Sequence, residues 1–504
     1  MKRRAGTLAR FTLAAGVIST CGSARSNTVD WQGGSGDWND LAHWSSAALP
    51  DVETDVRIVS GASSAPTTVT VSDCCMGVRT LVLGAYNRLE LNAEMAPFVM
   101  GGSIVNDGDI YVRATRSSGE FAFATDTVLY GSGTVWLTSN LAGISLTSGT
   151  LTIGLGQTIR GSGVIGAGNV VNRGNILAEG FMTLAAGNGG RFDNSGGTIT
   201  IGANSYLTVN PRPVSGGRIV GGAGSTIRSG EVSDVAFSGD VSLNSMRVVS
   251  GSNSGTLRVS AGGAASLEGS FENNGDIRIG SRDSYYSSVL GLDGDFTLSG
   301  TGTVWLLRGP LGNVGGLQAD QLVVLAGQTI RGAGSFVVNS FVNHGRFIVE
   351  GGLLTMGLPT SGNMENQGGT ITIAHDGQWA LSGGGLVLDE ASTLTFDIGS
   401  GQADHGQLVV GAGAPLRLDG TLMLNIGYGA GVGDSFNLLS GTLSGTFDQV
   451  LTTGYALTTA YSADGVTVIV AGISPVPEPS TWVLLLTGAA VLLARRCQRR
   501  VRQW

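Results

Sequence analysis

Lysine is almost missing from this 504-residue chain: Lys2 is the only one, so a body released from its leader would contain none and Lys–Asn isopeptide cross-links are excluded. Cysteine is nearly as scarce. Of four, Cys21 and Cys497 lie in the terminal segments, leaving the adjacent pair Cys74 and Cys75, too few for a disulfide framework or a zinc site. Neighbours on a strand point to opposite faces, so the pair reads as one thiol in and one out, with a vicinal disulfide or an intermolecular bridge as alternatives. Proline is sparse at 11 residues and charge is low at 13%, while 42% of the chain is hydrophobic, which excludes disorder and provides for a large core.

What is abundant is glycine, 83 residues, separating short Val/Ile/Leu/Thr runs. Length alone allows about three ordinary domains, but this texture is that of one elongated all-β stack. The N-terminus, "MKRRAGTLARFTLAAGVISTCGSARS", has a basic start, an apolar stretch from Phe11 to Ile18 and then small residues, the order of a secretory signal peptide over residues 1–26, with cleavage expected after Ala24 or Ser26. A lipoprotein site at Cys21 is the rival, weakened by Thr20 before it. The first 26 and last 25 residues hold ten of the 29 basic side chains and no acidic one, so the interior sets 19 basic against 37 acidic residues. A body with a net charge of −18 repels nucleic acid and anionic lipid.

The middle is duplicated. "GSGTVWL" at Gly131 returns as "GTGTVWL" at Gly300, "GQTIRG" at Gly156 recurs at Gly327, "NSGGTITI" at Asn194 returns as "NQGGTITI" at Asn366, and "NDGDI" at Asn106 answers "NNGDI" at Asn273. The offsets, 167 to 172 residues, define a block of about 170 residues, placed at about 101–270 and 271–403 within a repeat region of 61–403. Inside it Asn-x-Gly recurs at Asn172 and Asn194 and at Asn343 and Asn366, steps of 22 and 23 residues, close to one coil of a parallel β-helix. "GTLTIG" and "GTITIG" then place Leu151, Ile153, Ile199 and Ile201 inward with Thr outward, and Asn at each turn can bond to Asn in the next coil.

The ends differ in texture. Residues 27–60 carry Trp31, Trp38 and Trp44 among glycines and resemble the W-x-G-G-x-G-x-W…W-S…P-x-x-x-D-x-V-x-I opening of many bacterial surface β-solenoids. The expectation is an aromatic cap over the open core, with sugar binding by exposed tryptophans as the alternative and His43 a poor metal candidate. Residues 404–474, in which Leu422, Leu424, Ile426 and Val466, Val468, Val470 alternate, resemble the small antiparallel end domain of surface and autotransporter-like solenoids, whose expected role is to cover the last coil.

Chemistry-bearing patterns are weak. Gly161, Gly163 and Gly166 have dinucleotide-loop spacing, but strand and turn follow instead of a helix. Polysaccharide lyases and hydrolases use β-helices with clustered carboxylates, so Asp107 with Asp109, Asp293 with Asp295, and Asp389 with Glu390 are the residues an enzyme would use. They sit in turn-like sequence and Asp109 recurs as Asp276, while His344, His375 and His405 are scattered. The expectation is no enzyme, no cofactor and no metal.

The tail, residues 475–504, closely resembles the PEP-CTERM signal of Gram-negative bacteria: Val476, Pro477, Glu478, Pro479 and Ser480 form "VPEPS"; an apolar run holds Trp482, Val483, Leu484, Leu485, Leu486, Val491, Leu492 and Leu493; Arg495, Arg496, Arg499, Arg500 and Arg502 close it. The run from Trp482 to Ala494 would cover roughly 20 Å as a helix against a bilayer core of about 30 Å, which suits a temporary hold better than a tail anchor. The resemblance implies an exosortase as partner, a transient inner-membrane intermediate with the arginines in the cytoplasm, cleavage near the motif, and delivery to the surface or matrix, with exopolysaccharide as a candidate ligand. An autotransporter would need a membrane barrel where this tail stands. The sequence therefore predicts an all-β parallel β-helix with a small antiparallel C-terminal cap, flanked by a signal helix and a C-terminal hydrophobic helix, acting as a non-catalytic structural or adhesive surface protein.

Overall fold

The computed structural model describes residues 27–473 except 73–76, 93–96, 116–117, 147, 187–188, 211, 311, 313 and 412–413. The signal peptide with Ala24 and Ser26, the Cys74–Cys75 pair and the whole sorting signal with its hydrophobic helix lie outside the described residues. Within them the only helical element is the single turn Leu41–His43, and no helix is long and apolar enough to cross a membrane.

The chain forms a β-solenoid of about 17 turns. Each coil lays one strand on each of three faces, and between the two ends the strands pair in parallel with their equivalents in the coils before and after. Thr150–Ile153 lies on the first face; Thr158–Ala167 then crosses the second and third faces; Asn169–Asn172 returns to the first, with Thr150 opposite Asn169. The middle corner of this coil turns at Gly161, where φ is +112° and a Cβ would strike the Leu137 carbonyl. Gly332 repeats this arrangement against Leu306 in the second block. Gly161 and Gly163 of the dinucleotide-like motif are thus spent on a coil corner, and Gly166 lies in the strand segment that follows, opposite Ser145 and Ala185.

Alternation does what the sequence predicts. Leu151, Ile153, Ile199 and Ile201 are fully buried, with Thr152 and Thr200 outward. A single coil cannot enclose its apolar side, so burial is completed only by stacking. At the corner between the first and second faces the core is polar: Asn106, Asn172, Asn194, Asn273, Asn343 and Asn366 are inaccessible to solvent. Asn172 Nδ2 donates to Asn194 Oδ1 at 2.7 Å, Asn253 to Asn273 at 2.9 Å, and Asn343 to Asn366 at 2.6 Å. Where a coil lacks the asparagine, a glutamine from one coil further on reaches across it. Gln157 Nε2 donates to the carbonyls of Asn106 and Tyr130 at 2.6 and 2.8 Å, and Gln328 treats Asn273 and Ser299 in the same way.

The parallel pairing continues past the change of texture at Asp404. Gln407–Val410, Pro415–Leu418 and Thr421–Ile426 still stack in register, and the last parallel strands are Thr442–Gly445 and Gln449–Thr452. Among the described residues, antiparallel pairing between strands is confined to Gly465–Ile473 with Ser435–Ser440 and with Tyr455–Ser462, apart from four isolated bridges. Leu422 and Leu424 are buried in a coil, and Val466, Val468 and Val470 in the hairpin. One-sided alternation reads alike in both settings, because it reports a buried face and not a strand direction.

Asn273 accepts from Asn253 and donates to Gln328 Oε1, so it joins the amide row on both sides. Replacing Asn273 with Ala strands the buried Gln328 Oε1, while Asn253 Nδ2 keeps the Gly255 and Asp276 carbonyls, and is expected to cost about 1–3 kcal/mol. The outward Thr372→Ala should stay within about 0.5 kcal/mol. Urea midpoints of the two variants compare them directly, and equal midpoints would refute a structural role for the row.

Candidate functional site

At the N-terminal end the three tryptophans are buried, at 2%, 0% and 2% exposure for Trp31, Trp38 and Trp44. They pack edge to face, with ring centroids 4.9 Å apart for Trp31–Trp44 and 4.8 Å for Trp38–Trp44, and Trp38 continues onto Phe98 at 5.3 Å. Trp44 Nε1 donates to the Trp38 carbonyl at 2.8 Å and Trp31 Nε1 to Gly34 at 2.8 Å. His43 stacks on Trp31 at 4.5 Å, and its Nδ1 lies 2.8 Å from the Gly33 carbonyl. The rings lie inside the first coils with no face open for a sugar.

The outward side of the second face carries the densest chemistry, and it occurs twice. In the first block Trp136 Nε1 donates to Asp109 at 3.0 Å, the Arg160 guanidinium lies over the Trp136 ring at 4.4 Å, and Arg160 pairs with Glu179 one coil further. In the second block Trp305 donates to Asp276 at 3.1 Å, Arg331 lies over Trp305 at 4.6 Å, and Arg331 pairs with Glu350 at 2.5 Å. The strings "GTVWL" and "QTIRG" hold these residues, and nothing local in them shows that they meet; their joint duplication is the one signal in the sequence that points to it. Tyr111 stacks on Trp136 at 5.5 Å from the side opposite Arg160's coil, so the indole's faces are taken up within the row. Its second-block equivalent is Arg278.

Of the acidic residues an enzyme would use, Asp107, Asp109 and Asp389 are engaged in hydrogen bonds within the fold. Asp107 Oδ1 accepts from the backbone N–H and hydroxyl of Ser132 at 2.9 and 3.1 Å. In the second block a neutral residue, Asn274, makes the same two bonds to Thr301 at 3.0 and 3.2 Å. Charge is therefore not needed for what Asp107 does there. Asp109 is engaged with Trp136 as described. Asp389 accepts from Ser392 at 2.6 Å and from the Gly368 N–H at 3.0 Å, while Asp293 and Asp295 are exposed at a corner. Among the described residues no group of three His, Cys, Asp or Glu side chains could hold a metal ion.

Arginine–carboxylate pairs staple neighbouring coils elsewhere: Arg79–Asp55, Arg113–Glu90, Arg173–Asp193, Arg258–Asp240 and Arg247 with both Glu231 and Glu268. The fork of Arg79 reaches both oxygens of Asp55, at 2.8 and 2.5 Å, a geometry that a lysine cannot supply. The Arg173 hydrogen bond holds the Asp193 carboxyl at about 2, aided by Ser195 against burial.

Of the scattered histidines, His344 bonds the Gln367 carbonyl and His405 the Gln402 and Asn437 carbonyls, while His375 Nδ1 lies 3.1 Å from Asp404. The hydrogen bond and charge of Asp404, with Asp376 and Asp397 beyond, push the His375 imidazole above its ordinary value. The Ser400 backbone N–H and hydroxyl, then His375, hold Asp404 at about 2. The raised histidine stabilises the fold fully below about pH 6.5 and stops doing so as pH rises through its folded value; the depressed aspartate contributes above about pH 4 and loses this as pH falls toward 2. Amide exchange in residues 399–406 is therefore expected to be slowest, after correction for intrinsic rates, between about pH 4 and 6. His375→Gln should flatten the alkaline limb and, because His375 also helps hold Asp404 down, move the acidic limb to higher pH; an unchanged profile in that variant would refute the pairing.

Residues 475–500 match the family model described as the PEP-CTERM protein-sorting motif. No curated protein matches the chain. The matched segment is the signal and not the solenoid. It implies an exported protein that is sorted to the cell surface and processed by an exosortase, a membrane protease.

Proposed function

We propose that this protein is a non-catalytic structural or adhesive rod of the cell surface or extracellular matrix, in contact there with exopolysaccharide. The observation that carries the reading is the exchange of Asp107 for Asn274 with the same two hydrogen bonds retained. A turn cap needs only an acceptor oxygen, which amide and carboxylate both supply, so the twin corners do the same job without acid–base chemistry. The use of Asp109 and Asp276 as equivalent acceptors for tryptophan N–H groups in both blocks supports the same view. Delivery follows the tail: the short run Trp482–Ala494 holds the chain at the inner membrane of a Gram-negative cell while "VPEPS" is read, and the released body carries its acidic surface outward.

Protein recovered from the cell surface, incubated with acidic and neutral polysaccharides, is expected to release neither unsaturated nor reducing ends. Product formation that disappears in the Asp107→Asn, Asp109→Asn double variant would sink the non-catalytic reading in favour of a β-helix lyase or hydrolase. Delivery has its own test: a C-terminal epitope should be present on the membrane-bound precursor and missing from the surface form. An epitope retained on the surface form would identify a tail anchor instead.

A further inference from the structure

The two ends of the solenoid are finished differently. The first strand, Thr28–Asp30, carries the Asp30–Arg57 ion pair at 3.4 Å and lies beside the tryptophan cap. At the other end Gly465–Ile473 occupies the edge of Ser435–Ser440, and Tyr455–Ser462 then becomes the outermost strand. The hairpin therefore moves the open edge outward without closing it. Among the described residues Tyr455–Ser462 has no strand partner on its other side.

That edge is firmly held. Tyr455 and Leu457 pack on the core; the Tyr455 hydroxyl donates to the Tyr428 carbonyl at 2.9 Å and accepts from the Ala430 N–H at 3.1 Å, while the Tyr461 hydroxyl accepts from Phe447 at 3.2 Å. Ala456, Thr458 and Ala460 are exposed. It also lacks what protects solenoid edges: from Gly441 to Ala463 the only charge is Asp448, and there is no proline. On a body of net charge −18, this end is where a second copy meets least repulsion.

Its sequence selects that partner. "YALTTAY", Tyr455 to Tyr461, reads almost the same in both directions about Thr458: Tyr455 answers Tyr461, Ala456 answers Ala460, and Leu457 answers Thr459. An isologous contact requires one patch to complement itself across a twofold axis, and an antiparallel strand pair centred on one residue meets that requirement. We propose that two copies join tail to tail by antiparallel pairing of Tyr455–Ser462 about Thr458, continuing the third-face sheet from one rod into the next. A hydrogen-bonded edge with tyrosine pairs at both ends and small residues between them is the contact this strand offers.

The test uses the exported protein recovered from the cell surface, with mass followed against concentration by sedimentation. Dimers are expected. Ala456→Lys with Ala460→Lys sets lysine against lysine twice and should weaken association by roughly tenfold or more. Ala456→Glu with Ala460→Lys sets opposite charges in register and should restore it. All four side chains would point to solvent, so at a concentration where every form is monomeric the thermal midpoint of each variant should match the parent. A parent that stays monomeric up to about 1 mM overturns the proposal, as do dimers indifferent to both double variants, or an edge that captures unrelated extended peptides in preference to its own copy.

Discussion

The buried amide row at the corner between the first and second faces is the constraint on which the stack depends. Backbone pairing alone would allow one coil to slip along another, because a parallel ladder has the same hydrogen-bond pattern after a shift of two residues. A slip would separate Asn172 from Asn194 and Asn343 from Asn366, leaving unsatisfied amides with no access to water. The row thus converts an apolar core, which tolerates sliding, into one with a single register. Gln157 and Gln328 show how strict the demand is: where the intervening coil has glycine at its corner, an amide two coils away fills the gap. Gly133 and Gly302 are required there because a Cβ at either would strike the carbonyl of Gly108 or Gly275.

With register fixed inside, the outer surface can be written in pairs that span one coil. Lysine is absent from the body, and arginine suits these positions, since a rigid fork joins side chains held at the strand spacing of about 4.8 Å with little further ordering. Each such pair is partly exposed and individually weak. Their effect is collective: Arg160 and Arg331 each tie an indole ring to a carboxylate in the next coil, so aromatic surface that would otherwise invite ligands becomes part of the wall.

Much of the fold was legible because it has a period. Alternation set the burial of Leu151, Ile153, Ile199 and Ile201, and Asn-x-Gly at 22 and 23 residues set the corner, both being local signals that stacking repeats. The sites where coils touch through long side chains were not legible. Thr134 meets Thr158 after 24 residues, yet Thr158 meets Asn175 after 17, so no constant step brings Trp136 to Arg160 or Asn106 to Gln157. The extent of the antiparallel end was obscured for a different reason, since Leu422 and Val468 have the same one-sided burial under opposite strand directions. The sorting motif was legible outright, because it is read by another protein as linear sequence and needs no partner from the fold.

A solenoid also separates its functions along one axis. Each coil contacts only its neighbours, so about 17 turns at about 4.8 Å give a rod of about 80 Å in which neither end depends on the chemistry of the other. The exosortase signal begins within two residues of Ile473, the end of the last strand, so the chain that the protease must hold emerges directly from the C-terminal hairpin. Duplication of the 170-residue block lengthened the rod without touching either end. Its two copies keep Asp109–Trp136 and Asp276–Trp305 and differ at Tyr111 and Arg278, beside the indole in the preceding coil. Selection for length and stiffness would leave that pattern.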